Sequence, residues 1–103
     1  MLHNFGGTHG MYGALNRIND ELYRVRNSYK NFLGIGLTME GIEQNDIVYD
    51  YMTETSWYDR APDMIEWFSH YVRRRYGFMD KFLETELLDQ AWQLLRIPVY
   101  TDP

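Results

Sequence analysis

Apolar positions between Met11 and about Arg26 recur at intervals of three and four: Met11, Tyr12, Leu15, Ile18, Leu22 and Val25. That spacing puts them on one face and predicts an amphipathic helix. Residues 32–39, FLGIGLTM, are almost uninterruptedly apolar with two glycines. The run is short and lacks alternation, which predicts a strand buried on both faces and ending at Glu40-Gly41. Ile47, Val48, Tyr51, Met52 and Thr55 then mark a second helix, with Asn45 or Asp46 available to cap its first amides. Strand, acidic turn and helix together make a βα unit. Residues 1–5, MLHNF, running into the glycine-rich 6–10, suggest one further short strand.

Beyond residue 60 the pattern is purely helical. Pro62 suits a first helical position and Asp63 suits the positive end of a helix dipole. Met64, Ile65, Trp67, Phe68, Tyr71, Val72 and Tyr76 form a broad apolar stripe, and Gly77 after Arg73, Arg74 and Arg75 is a helix stop. A last helix carries Phe82, Leu83, Leu87, Leu88, Ala91, Trp92 and Leu95, with Pro98 expected to end it.

This inventory is unbalanced. One or two fully buried strands cannot pair their backbone groups without further strands beside them. A (β/α)8 barrel takes about 250 residues, so 103 residues hold only part of one. The expected fold is therefore mainly α for the chain by itself. Residues 1–60 would be the last βα units of a (β/α)8 barrel, with one or two strands and two helices, and residues 61–103 the first helices of an all-α domain.

Composition narrows the function. A hydrophobic fraction of 45% is enough for a core, and a net charge of −5 from 15 acidic and 10 basic residues argues against a phosphate-binding surface. Nucleic acid is not an expected partner. The absence of cysteine removes disulfides, thiolate metal sites and a cysteine nucleophile. No stretch approaches the ~18 apolar residues of a membrane span, and no basic-then-apolar leader precedes residue 10, so neither a membrane nor a targeting signal is expected.

Among candidate chemistries, Glu40 stands first. It lies where an apolar strand meets a glycine-bearing turn before a helix, which in a βα barrel is the rim that holds catalytic groups. The alternative, a solvated acid near a helix start, fits the spacing equally well. Glycoside hydrolysis requires two carboxylates, ~5–5.5 Å apart in retaining enzymes, and Glu43 reads better as part of a polar helix start than as the second. His3, His9 and His70 share no metal-ligand spacing, and the glycine pairs lack the rest of a nucleotide loop, so no metal or cofactor is expected. Arg73 to Arg75 read as a dipole-and-solvent cluster before a sulfate site. Trp67 and Trp92 fall on apolar stripes and belong to a core, which leaves Trp57, at a helix end, open for sugar stacking.

The segments MLHNFGGTHGMYGAL, GIGLTMEGIEQNDIVYDYMTE and WFSHYVRRRYG, in that order, closely resemble the α-N-acetylglucosaminidases of glycoside hydrolase family 89, over nearly the whole chain. The resemblance implies a retaining exo-hydrolase that removes terminal α-linked N-acetylglucosamine, in animals a lysosomal step of heparan sulfate breakdown. It places the family's nucleophile on Glu40, and the family's His-Asn-Phe-Gly-Gly segment on His3 and Asn4, which would line the sugar pocket or orient the nucleophile. Gly6 and Gly7 would serve the backbone turn. The family's acid/base glutamate lies on an earlier barrel strand, outside this stretch. The expected partners are thus a carbohydrate with terminal α-linked N-acetylglucosamine and the remainder of the same polypeptide, the expected compartment lysosomal or secreted, and the chain alone is expected to be inactive. A non-catalytic helical interaction module is the alternative.

Overall fold

The computed structural model describes residues 13–38, 45–77 and 82–100. Four α-helices occur among them: α1 (Leu15–Ser28), α2 (Asp46–Thr55), α3 (Met64–Tyr76) and α4 (Phe82–Leu95). A π-helical turn, Arg96–Tyr100, extends α4. The mainly α character expected of the chain is thereby observed.

Each helix follows from its pattern, with informative departures. In α2 all five expected apolar positions are buried, and the Asn45 carbonyl accepts the Val48 N–H at 3.0 Å. In α3 the buried side chains are Trp67, Phe68, Tyr71 and Val72. Asp63 is the N-cap rather than a first-turn residue, its Oδ1 accepting the Glu66 N–H at 2.9 Å. This bond satisfies one of the amides that a helix start leaves unpaired, and Pro62 accordingly falls one position outside the helix. Gly77 stops α3 with φ of 78°, a conformation that favours glycine.

Helix α1 begins at Leu15, later than the periodicity starts; Met11 and Tyr12 lie outside the described residues. Its N-cap, Ala14, is left-handed at φ 45° and ψ 40°, uncommon for a residue with a side chain. Immediately before it, a Cβ on Gly13 would lie 2.6 Å from Tyr100 Cδ1 and 3.1 Å from Val48 Cγ2. Only glycine lets the chain pass this close. Pro98 does not end the last helix: the backbone continues as a wider turn to Tyr100, which is buried at 6% exposure. A π turn is one way a helix absorbs a residue that cannot donate to the preceding turn.

The strand expected over residues 32–39 is not observed. Among the described residues 32–38 no strand forms beyond a single bridge position at Leu37, and Leu33 is 98% exposed. A strand obtains its backbone hydrogen bonds from neighbours, and no described segment lies alongside to provide them. The first five residues, read as a further strand, lie outside the described residues.

The core joins Leu15 of α1, Ile47, Val48 and Tyr51 of α2, Trp67, Phe68 and Tyr71 of α3, and Tyr100. It runs without interruption across residue 60. Tyr51, fully buried, packs edge-on against Trp67 with ring centroids 4.8 Å apart, and its hydroxyl donates to Asn19 Oδ1 on α1. Tyr23 of α1 donates in turn to the Thr55 carbonyl at 2.9 Å. Helix α4 lies against α3 through Trp92, edge-on to Tyr71 at 5.3 Å, while Leu87 and Leu94 remain exposed.

Two substitutions test this arrangement by urea denaturation. Tyr51→Phe leaves the Asn19 oxygen buried without its donor and should cost about 1–3 kcal/mol. Gly13→Ala, whose methyl meets the Tyr100 ring and Val48, should cost about 1–3 kcal/mol through overpacking, whereas Leu94→Ala, at 72% exposure, should change stability by less than about 0.5 kcal/mol.

Candidate functional site

The three residues singled out from sequence, Glu40, His3 and Asn4, lie outside the described residues, as do Gly6, Gly7 and Glu43. What the structure does describe is the ground on either side of them. Glu40 follows Thr38 by two residues and precedes the first residue of α2 by six. That helix is rooted at its start, since Ile47 and Val48 are 2% and 0% exposed. The segment that carries His3 and Asn4 joins the described fold at Gly13, which abuts Val48. The segment with His3 and Asn4, at its end, and the Glu40 segment, where it enters α2, therefore join the described fold near one patch of core built from Gly13, Val48 and Tyr100.

Polar groups are also organised at the other end of α2. The Glu54 carboxylate accepts from Arg74 Nη2 of α3 at 2.6 Å and from the Tyr58 hydroxyl. Burial alone would raise the Glu54 pKa. The hydrogen bonds from Arg74 and Tyr58 and the nearby positive charge outweigh it and hold the carboxyl below its ordinary value. The Trp67 indole N–H, buried without a well-aligned acceptor, adds to the same lowering. Tyr58 shifts upward, mainly because its hydroxyl is already given to Glu54.

Arg73, Arg74 and Arg75 close the last turn of α3 and are exposed, as a dipole-and-solvent cluster requires, and two of them also reach the fold. Arg74 pairs with Glu54, and Arg75 donates to the Tyr71 hydroxyl at 2.7 Å, its guanidinium 5.8 Å from the Tyr71 ring centre and 5.9 Å from that of Trp92. Trp67 and Trp92 occupy the core and its edge, as their stripes require, and Trp57 is 86% exposed. Sequence reasoning passed over Glu54, Tyr58 and Arg74 as a group. Glu54 and Tyr58 stand four residues apart, a spacing that pairs side chains across one helical turn, but nothing local pointed to Arg74, twenty residues on.

Among the described residues no group of His, Cys, Asp or Glu is placed to hold a metal ion, and no helix is long and apolar enough to cross a membrane. The described arrangement is one of helical packing with organised polar clusters.

Comparison with known proteins puts the chain in the class of glycosidase-related proteins. It belongs to the α-N-acetylglucosaminidase family: residues 1–59 match the α-N-acetylglucosaminidase (NAGLU) TIM-barrel domain. The human α-N-acetylglucosaminidase is 40% identical over 104 aligned positions, covering 97% of this chain and 13% of the human protein. The chain thus spans about an eighth of the length of that relative. No solved structure matches it.

The Glu54 cluster carries a pH prediction. Because the folded-state pKa lies below the ordinary value of 4.5, ionised Glu54 contributes stability above that value and loses it as pH falls through the depressed folded one. Replacement by Gln should cost about 1 kcal/mol near neutral pH. The difference in melting temperature between the two proteins should hold steady above about pH 6 and close progressively below pH 4.5.

Proposed function

We propose that this chain is a segment of a retaining α-N-acetylglucosaminidase in which Glu40 is the nucleophile. The observation that carries the proposal is the match of residues 1–59 to the family's TIM-barrel domain, within which Glu40 sits in the run TMEGIEQN. In this reading Glu40 attacks the anomeric carbon of a terminal α-linked N-acetylglucosamine and forms a covalent glycosyl-enzyme. A second carboxyl group, supplied by sequence outside residues 1–103, protonates the leaving oxygen and then activates water. His3 and Asn4 line the pocket or orient Glu40 by hydrogen bonding. The adjacency of Gly13 and Val48, which brings the two segments to one patch of core, supports a shared site. Residues 1–60 form the closing βα units of the barrel and residues 61–103 the start of a helical domain. Heparan sulfate as the substrate, and the lysosome or secretory route as the compartment, follow in this reading from the family resemblance of TMEGIEQN and its flanking segments.

A specific observation also favours a non-catalytic helical module. Ile65 on α3 and Leu87 and Leu94 on α4 are 55%, 56% and 72% exposed, apolar surface that a partner could cover. Under that reading Glu40 has no chemical role.

Two measurements separate the readings. Mass and peptide mapping of the natural product, detected through a peptide containing TMEGIEQN, should place that peptide in a polypeptide several-fold heavier than 12.4 kDa; a species of 12.4 kDa only would favour the module. In the longer polypeptide, release of nitrophenol from the aryl α-N-acetylglucosaminide should fall by about 10³-fold or more in Glu40→Gln, while residues 1–103 alone should release none. Retained activity in Glu40→Gln would remove it from the mechanism.

A further inference from the structure

Trp57 is a large side chain that the described core leaves in water. It is 86% exposed, yet its backbone is held on both sides. Its N–H donates to the Glu54 carbonyl at 3.1 Å, the Tyr58 N–H donates to the Thr55 carbonyl at 3.1 Å, and Arg26 donates to the Tyr58 carbonyl. A tryptophan carries some ~150–250 Å² of surface, so an indole held outward on a fixed turn is a preformed flat apolar platform.

Trp57 lines two open surface grooves, of about 510 and 800 Å³. Asp50, Thr53 and Arg74 line the first, and Asp59, Arg60 and Asp63 the second. A flat apolar face between hydrogen-bonding groups is the chemistry that recognises a pyranose. The ring C–H groups lie on the indole, and the equatorial hydroxyls reach carboxylate, hydroxyl and guanidinium.

Charge selects among sugars. In the first groove Asp50 and Glu54 offset Arg74 and Arg75, and both arginines are already engaged, with Glu54 and Tyr71. In the second, Glu54, Asp59, Asp63 and Glu66 face a single arginine, Arg60. A sulfated or carboxylated sugar would meet net repulsion there.

We propose that Trp57 and its two grooves form a saccharide-binding platform for an uncharged pyranose unit of a glycan chain, with Trp57 as the stacking residue. The platform does not depend on the role assigned to Glu40: Glu40→Gln should bind as the unaltered chain does, so the failure of either reading leaves the other standing.

The test is ¹H–¹⁵N NMR of the indole signals of the full chain, which has three tryptophans, titrated with chitotriose. One indole signal, absent from Trp57→Ala, should shift with a Kd of about 1 mM. Trp57→Ala should keep the helical circular dichroism and bind at least about tenfold more weakly, while Trp57→Phe, which keeps an aromatic face, should remain within about threefold of the unaltered chain. No shift at about 10 mM chitotriose, or equal affinity in Trp57→Ala, would overturn the platform. Tighter binding of a heparin tetrasaccharide than of chitotriose would overturn the uncharged class. A dimer in the unaltered chain that Trp57→Ala dissolves would assign the indole to self-association instead.

Discussion

Three helices of this chain meet on one side chain, Tyr51. Its ring is fully buried and stands edge-on to Trp67, which ties α2 to α3, and its hydroxyl bonds to Asn19, which ties α2 to α1. Burial pushes the phenol pKa far above its ordinary range, so the hydroxyl stays a donor at any physiological pH. The Tyr23 bond to the Thr55 carbonyl runs beside it. A buried polar seam of this kind has an asymmetric energetic character. Complete, it adds little more than an apolar contact, but opened on one side it leaves a desolvated oxygen at a cost of about 1–3 kcal/mol. The seam therefore selects one relative placement of α1 and α2, whereas Leu15, Val48 and Phe68 only require that the helices be together.

The aromatic character of the core extends this logic. Trp67 stacks on Tyr71 at 5.4 Å, Tyr71 meets Trp92 edge-on, and Arg75 lies near both of the latter two rings. Large rings with fixed geometry fill space across gaps that smaller side chains would leave open. This lets α1, α2 and α3 share a core although α3 and α4 are the helices whose backbones run closest together. The glycine at 13 is the counterpart: where Tyr100 returns to the core, the opposing chain must have no side chain at all.

What could be read from the sequence divides along the same line. Helical periodicity was legible because a helix makes its own backbone hydrogen bonds, so a stripe such as Ile47, Val48, Tyr51, Met52 and Thr55 carries most of what it needs within itself. Asn19 and Tyr23 escaped that reading because they continue the Leu15 face with polar atoms whose partners, Tyr51 and Thr55, are both 32 residues away. The passage of the backbone through Pro98 to a buried Tyr100 escaped it too, since proline ordinarily reads as an end. Glu40 was legible as an acid in a suggestive place, but its position did not separate a nucleophile from a solvated side chain. Only the resemblance carried by TMEGIEQN favoured the nucleophile, and Glu40 lies outside the described residues.

Residues 32–38 show most plainly what a sequence pattern assumes. FLGIGLTM is written for burial on two faces, yet Leu33 is 98% exposed, because a strand, unlike a helix, borrows its hydrogen bonds from its neighbours. Glu40 follows this segment directly and is followed by α2, whose first turn is buried to 2% exposure or less at Ile47 and Val48. The two sides of Glu40 thus differ in kind. The helix behind it is secured by the core of this chain, whereas the described residues before it form no strand. A carboxylate in a glycosidase has to be held within a fraction of an ångström of its target. In the reading proposed for Glu40, that constraint comes from the helical core on one side and from closing a barrel sheet on the other.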